Sequence, residues 1–222
     1  MYKAHRIHNH HKVIHFVRHA EGHHNVAGKA DYRGYLREDL VDAEITPLGI
    51  QQCEELRDKV QEKLKSVELL IVSPMNRTIQ TALYSFPQLK DSIPWVAIEH
   101  IREQTGRHPC DRRTPIRDQR QRYSFINYDH IESDDDVIYH RYDPNREPAE
   151  DVVERAKIFL DWLRNRQEKE IVVVTHSAFL RHLFRNLLSV ENMDDSIEFE
   201  NCELRTFVLN LDPITSISET EN

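Results

Sequence analysis

Val13-Ile14-His15-Phe16-Val17-Arg18-His19-Ala20-Glu21-Gly22-His23-His24-Asn25 is the stretch on which the reading of this chain turns. Val13 to Val17 reads as a short buried strand, and it runs straight into an Arg-His pair. A second apolar run, Ile171-Val172-Val173-Val174-Thr175, closes on His176 in the same way. Two strands that each end in a histidine, with arginines nearby, describe a pocket able to grip a phosphoryl group and take it onto nitrogen.

Working outward, the segments alternate in type. Thr46-Pro47 starts a helix, threonine as N-cap and proline in the first turn, with a buried stripe of Cys53, Leu56, Val60 and Leu64. Leu69 to Val72 is a second strand, broken by Ser73-Pro74 and followed by a helix over 75–86. Trp95 to Ile101 is a third strand candidate, with Pro94 confined to its edge. Helical spacing returns over 149–166, burying Val152 or Val153, Ala156, Phe159 or Leu160, and Leu163. The Ile171 strand, a helix over 177–188 and a last strand over 204–209 complete the pattern. Strands alternating with amphipathic helices predict an α/β fold of three layers, α/β/α, with a mostly parallel central sheet. Gly22 to Glu44 lacks a steady period and reads as a long active-site loop.

The 222 residues suit one domain, 1–222, with a flexible histidine-rich N-terminus over 1–12, a lid-like insertion over 105–148 and a mobile polar tail over 212–222. The formal charge of −8 argues against nucleic acid as a partner. A phosphorylated ligand must therefore meet a local positive pocket rather than the field of the whole chain. No run is long and apolar enough for a membrane span, and the polar start shows no secretory leader. The three cysteines, Cys53, Cys110 and Cys202, lack CxxC spacing and read as reduced thiols, so the cytoplasm or nucleus is the expected compartment.

In an open α/β sheet, ligands gather at the carboxyl ends of the strands. Those ends carry Arg18-His19, Ser73 with Arg77 beyond it, Glu103, and His176. His19 is the candidate nucleophile, since an imidazole nitrogen can attack phosphorus and split one hard displacement into two easier ones. Arg18 and Arg77 offer planar forks of N–H donors for phosphate oxygens. His176 supplies a further donor, and the helix starting at Ser177 adds backbone N–H groups. Asn25 can orient the phosphate or His19 through its amide, and Glu103 is the candidate acid and base. Each of these residues alone is more often an ordinary surface group; their combination carries the reading.

That combination resembles a known family. Arg18-His19-Ala20-Glu21…Asn25, Ser73-Pro74-Met75-Asn76-Arg77-Thr78, Ile101-Arg102-Glu103 and Thr175-His176-Ser177 are similar to the four motifs of the histidine phosphatase superfamily, phosphoglycerate mutase-like branch, over 13–209. Gly106-Arg107-His108-Pro109-Cys110-Asp111 and Asn201-Cys202-Glu203-Leu204-Arg205 resemble a plant and fungal subgroup. The resemblance implies a phosphoglycerate mutase-like fold and phosphoryl transfer without metal or other cofactor. His19 would be the phosphorylated residue, Arg18, Arg77, His176 and Asn25 the phosphate pocket, and Glu103 the proton donor. Two departures stand out: Ala20 and Ser177 take positions where the family usually has glycine.

The expected function is a phosphomonoesterase acting on a small phosphorylated metabolite through phosphohistidine. A phosphoglycerate mutase is the first alternative, weakened because family mutases carry tryptophan where this chain has His24. A non-catalytic module binding a phosphate ligand is the second, opposed by the intact motif residues. A metallohydrolase built on His23, His24 and the N-terminal histidines lacks ligand spacing such as HExxH. Arg107, His108 and Arg112, in a stretch that also holds Arg113, Arg117, Arg120 and Arg122, are the candidate specificity residues. The alternative for those arginines is a solvated face balanced by Asp134, Asp135 and Asp136.

Overall fold

The computed structural model describes residues 11–188 and 198–211. The proposed mobile tail from Asp212, and the histidine-rich start up to His10, lie outside the described residues.

Six strands form one sheet in the order β4-β3-β2-β5-β1-β6. They are β1 (His11–Arg18), β2 (Leu69–Val72), β3 (Trp95–Ala97), β4 (Ile126–Asn127), β5 (Glu170–Thr175) and β6 (Leu204–Asn210). All neighbours pair in parallel except β1 with β6, which is antiparallel. The helices are α1 (His23–Ala30), α2 (Pro47–Val60), α3 (Asn76–Ser85), α4 (Ile116–Arg122), α5 (Val137–Tyr142), α6 (Ala149–Arg164) and α7 (Ser177–Asn186).

The pleat sorts the strand side chains into two cores. Val17, Leu70, Val72, Val172 and Val174 pack with Cys53, Leu56 and Val60 of α2 and Ile79 and Ala82 of α3. Ile14, Phe16, Leu69, Ile71, Ile171 and Val173 face Val152, Ala156, Phe159 and Leu163 of α6 and Phe179, Leu180 and Leu183 of α7. A sheet buried on both faces reads as an unbroken apolar run, which is why β2 and β5 lack alternation. The predicted α2 start is real: Thr46 Oγ1 accepts from the Gly49 N–H at 3.0 Å.

Four sequence expectations need correction. β1 starts at His11, ahead of the apolar run, because buried Lys12 donates to the carbonyls of Arg166 and Glu168, each at 2.7 Å. Residues 22–44 hold α1 and 3-10 turns at Tyr32–Leu36 and Glu38–Leu40 rather than one long loop. The third strand stops at Ala97, and a 3-10 turn, Glu99–Ile101, follows. Pro94 lies just before the ladder, at the edge of the strand as expected, and β4 pairs on the far side. That fourth strand comes from the segment expected as a lid-like insertion with some helix, in which no strand is foreseen. Ile116, Tyr123, Ile126, Tyr128 and Ile131 of the same segment join the α2/α3 core.

A buried ionic cluster ties this segment to the end of β3. Arg102, 2 % exposed, donates to both carboxylate oxygens of Asp136 at 2.7 Å and to the carbonyl of Asp111 at 2.6 Å. Arg113 adds its backbone N–H to Asp136 and its Nε–H to Glu99. Burial pushes the Asp136 carboxyl up, but the Arg102 charge and the N–H donors of Arg102, Tyr139 and Arg113 hold it below its ordinary value. Replacing Asp136 by Asn removes the bidentate partner of buried Arg102 and leaves it only the Glu99 carboxylate at 3.0 Å, which Arg113 shares. The expected loss of stability is about 3–5 kcal/mol in urea unfolding, and an unchanged midpoint would show that the cluster does not anchor the segment.

Candidate active site

The parallel ladder sets the centre of the site. The His19 N–H donates to the Thr175 carbonyl at 2.9 Å, so pairing of β1 with β5 carries one residue past the strand. His19 and His176 thereby meet, with ring centroids 5.2 Å apart. The His19 carbonyl is held from the other side by the Cys202 N–H at 3.2 Å and the Asn201 amide at 3.0 Å.

His19 is 2 % exposed, and its Nδ1 lies 2.8 Å from the Ala20 carbonyl. A carbonyl only accepts, so Nδ1 carries the proton and Nε2 the lone pair. Burial, then the charges of Arg77 and Arg18, hold this imidazole well below its usual value, outweighing the Ala20 carbonyl. The ring is therefore neutral and nucleophilic at physiological pH. His176 is fully buried and has Ser73 Oγ 2.8 Å from its Nε2. Burial, then Arg77, His19 and His24, push its value down as well.

Around these two rings the described residues leave four buried side-chain nitrogens without a hydrogen-bond partner: Arg18 Nε, His24 Nδ1, Arg77 Nε and His176 Nδ1. Buried polar groups are normally paired, so their grouping at one place marks a site built for a polar ligand. Arg18 is positioned by donation from Nη1 to the Phe199 carbonyl at 2.6 Å. Arg77 lies fully buried on α3, donating to the Cys110 carbonyl at 2.7 Å and to Asp111 Oδ1 at 3.0 Å.

A cavity of about 360 Å³ opens beside this cluster. Of the sequence candidates, Arg18, His19, Asn25, Glu103, His108 and Ser177 line it, while Arg77 and His176 sit buried behind. Asn25 accepts the Gly22 N–H at 2.9 Å, which pins the start of α1. Glu103 Oε1 accepts the N–H groups of Gln104 and Ala178, each at 3.0 Å, and leaves Oε2 for the cavity. Ala20 does not line the cavity; its N–H donates to Thr81 Oγ1 at 2.9 Å.

Two specificity candidates fall elsewhere. Arg107 is exposed at φ 55°, just after Gly106 at φ 77°, where a methyl would strike the Asn145 carbonyl at 2.3 Å. Arg112 pairs with Glu38 at 2.9 Å, and neither arginine lines the cavity. The surface reading suits much of the run, since Arg117 meets Asp134, Arg120 meets Asp129 and Arg122 meets Glu44. Sequence reasoning missed the cavity's other arginines, Arg146 and Arg181, and the residues His24, Tyr32, Tyr35 and Asp111. Arg181 was within reach, because it stands four residues beyond Ser177 on the same face of α7. Arg146 was not, since only folding brings it to Asp111 Oδ2 at 2.6 Å and to His108 Nδ1 at 3.0 Å. That bond makes His108 Nδ1 an acceptor; burial, then Arg146, lowers its value to about 4. Three lining arginines against Glu103 and Asp111, with Arg77 behind, give a positive site in a chain of charge −8. Among the described residues, no three His, Cys, Asp or Glu side chains are grouped to hold a metal ion. No helix among them is long and apolar enough to cross a membrane.

Comparison with known proteins gives the family and the fold. The family model described as histidine phosphatase superfamily (branch 1) matches residues 14–215. A phosphoglycerate mutase-like protein from Arabidopsis thaliana is 40 % identical, covering 94 % of this chain and 87 % of the relative. Among solved structures, phosphoglycerate mutase from Bacillus anthracis superposes with a TM-score of 0.59 at 13 % identity, over 90 % of this chain and 89 % of its own. The tungstate complex of ecdysone phosphate phosphatase from the silkworm gives 0.57 at 15 % identity, over 95 % and 97 %. With the family model spanning nearly the whole chain and a close relative over almost its full length, this protein belongs to the histidine phosphatase superfamily, branch 1.

Proposed function

We propose that the protein is a metal-independent phosphomonoesterase that turns over a small phosphorylated metabolite through a phosphohistidine on His19. The observation that carries this reading is the neutral His19 ring, its Nε2 lone pair set by the Ala20 carbonyl, with Arg18 Nε, Arg77 Nε and His176 Nδ1 buried nearby and without a protein partner.

In this reading the phosphoryl group lies between Arg18, Arg77 and His176. Ser73 can donate its hydroxyl proton to His176 Nε2, which leaves Nδ1–H free to donate to a phosphoryl oxygen. The Ser177 end of α7 and Asn25 border the same space. Nε2 of His19 attacks phosphorus in line, and the P–O bond to the leaving alcohol breaks as the P–N bond forms. Donors fixed in advance stabilise charge on the equatorial oxygens without reorganisation. Glu103 Oε2 gives its proton to the leaving oxygen, then takes one from the water that attacks phosphohistidine. Inorganic phosphate leaves, and His19 is neutral again.

The names of the relatives support the chemistry and leave the acceptor open. The Arabidopsis protein is named for its likeness to phosphoglycerate mutase, and the silkworm structure for a phosphate phosphatase. A panel of phosphorylated metabolites with release of inorganic phosphate as readout decides it. Hydrolysis supports a phosphatase, whereas isomerised phosphoglycerate without release would make the protein a mutase.

Replacing His19 by Ala is expected to abolish turnover and acid-labile labelling by 32P-substrate while circular dichroism stays unchanged. Retained labelling would remove His19 as nucleophile. Glu103→Gln is expected to slow alkyl phosphates by about 10²–10⁴-fold and activated aryl phosphates far less; equal slowing would contradict an acid role. Because burial and the two arginines depress His19, the nucleophile stays unprotonated as pH falls through 6.5. With an activated aryl phosphate, whose leaving group needs little help from Glu103, and with the substrate's own ionisation near pH 6 factored out, kcat/KM should stay flat from pH 8 to about 6. An acidic limb centred at or above 6.5 would show an unperturbed imidazole.

A further inference from the structure

Neither the proposed mechanism nor the four motifs uses His24, yet it is one of the most constrained side chains in the site. It is the second residue of α1, 5 % exposed, and lines the cavity. Its ring centroid lies 5.4 Å from that of His19, and Tyr35 packs at 6.4 Å on another side. With His176 it completes a cluster of three imidazoles centred on His19.

The two nitrogens of His24 have different surroundings. Nδ1 is buried without a partner and faces Gly22: a methyl there would lie 2.6 Å from it. An N–H buried against a Cα with no acceptor is the costlier of the two tautomers, because an orphaned donor forfeits its full hydration. The proton therefore belongs on Nε2. Nε2 is not among the buried unpartnered atoms, and the residue lines the cavity. Burial, then the charges of Arg77, His19, Arg18 and His108, keep the ring neutral, so it offers one N–H and no charge.

We propose that His24 is a further phosphoryl-binding residue, whose Nε2–H donates to an oxygen of the group transferred to His19. This rests on the proposed phosphohistidine chemistry and adds to it a donor from α1. A neutral donor suits the position. It stabilises the charge that builds on the equatorial oxygens without adding a third full charge beside the His19 lone pair, which Arg18 and Arg77 already depress.

The test uses the full chain, with inorganic phosphate and vanadate as probes. His24→Phe keeps a flat ring and removes the N–H; His24→Gln restores an N–H donor at a similar reach. His24→Phe is expected to bind vanadate about a hundredfold more weakly and to lose a similar factor in kcat, with KM for an aryl phosphate changed much less. His24→Gln is expected to regain most of both. Gly22→Ala, allowed by the φ of −101°, keeps every imidazole atom but displaces the ring, and should weaken vanadate binding in the same direction. Parent-like vanadate affinity in folded His24→Phe overturns the proposal, as does equal loss in the Gln and Phe variants. Should His24→Phe fail to fold, imidazole 15N spectra of the parent protein decide. A shift of the His24 Nε2–H resonance on adding vanadate supports the contact, and no shift overturns it. Calorimetric binding of vanadate needs no turnover, so a parent without hydrolase activity defeats the phosphatase reading while the His24 contact is still decided.

Discussion

The pairing of β1 with β5 is the constraint on which the site depends. Its register sets Val13 against Glu170 and Arg18 against Thr175, and so sends both strands out of the sheet at the same height. The next residues are His19 and His176. A slip of one residue would send His19 to the other face of the sheet, because successive side chains alternate. Both cores resist that slip. Phe16 and Ile14 would leave the α6/α7 side, and Val17 would leave the α2/α3 side. Full burial of one such side chain is worth about 1.5–3 kcal/mol, so the packing of three holds the register firmly. The precision of the site is thus drawn from apolar burial well away from the reacting atoms.

The chemistry is set up by desolvation as much as by charge. Burial is the largest influence on His19, His24 and His176, and it keeps all three neutral beside two guanidinium groups. Uncharged rings supply one lone pair and directed N–H donors, while Arg18 and Arg77 supply charge. Asp111 takes up part of that charge, bridging Arg77 through Oδ1 and Arg146 through Oδ2. The Arg77 fork is thereby held in place, with Nε as its unpartnered nitrogen.

The residues that could be read from the chain are those tied to regular elements. The strand ends at Arg18 and Thr175, the capped start of α2 at Thr46 and the alternation of helices with apolar runs all follow from local spacing, and the three-layer sheet follows from them. The resemblance to the histidine phosphatase superfamily is legible in four short segments, of which Ile101-Arg102-Glu103 stands beyond a 3-10 turn and not at the end of β3. What could not be read depends on distant contacts. β4 is two residues long, and no periodicity can announce a strand of that length. Arg107 and Arg146 look alike in sequence, but a left-handed turn at Gly106 and Arg107 sends one outward, while Asp111 and His108 draw the other in. His24 reads in sequence only as the residue standing where family mutases carry tryptophan and as a ligand of the disfavoured metal site, because the loop expected over residues 22–44 is in fact α1 and two short turns.

The antiparallel strand β6 has a consequence for how the protein comes into being. Residues just ahead of it, Asn201 and Cys202, grip the His19 carbonyl, and Phe199 holds Arg18. His19 and Asn201 of this clasp are 182 residues apart in sequence. During synthesis on the ribosome, the backbone at His19 therefore stays unclasped until Asn201 has been translated and folded back onto it.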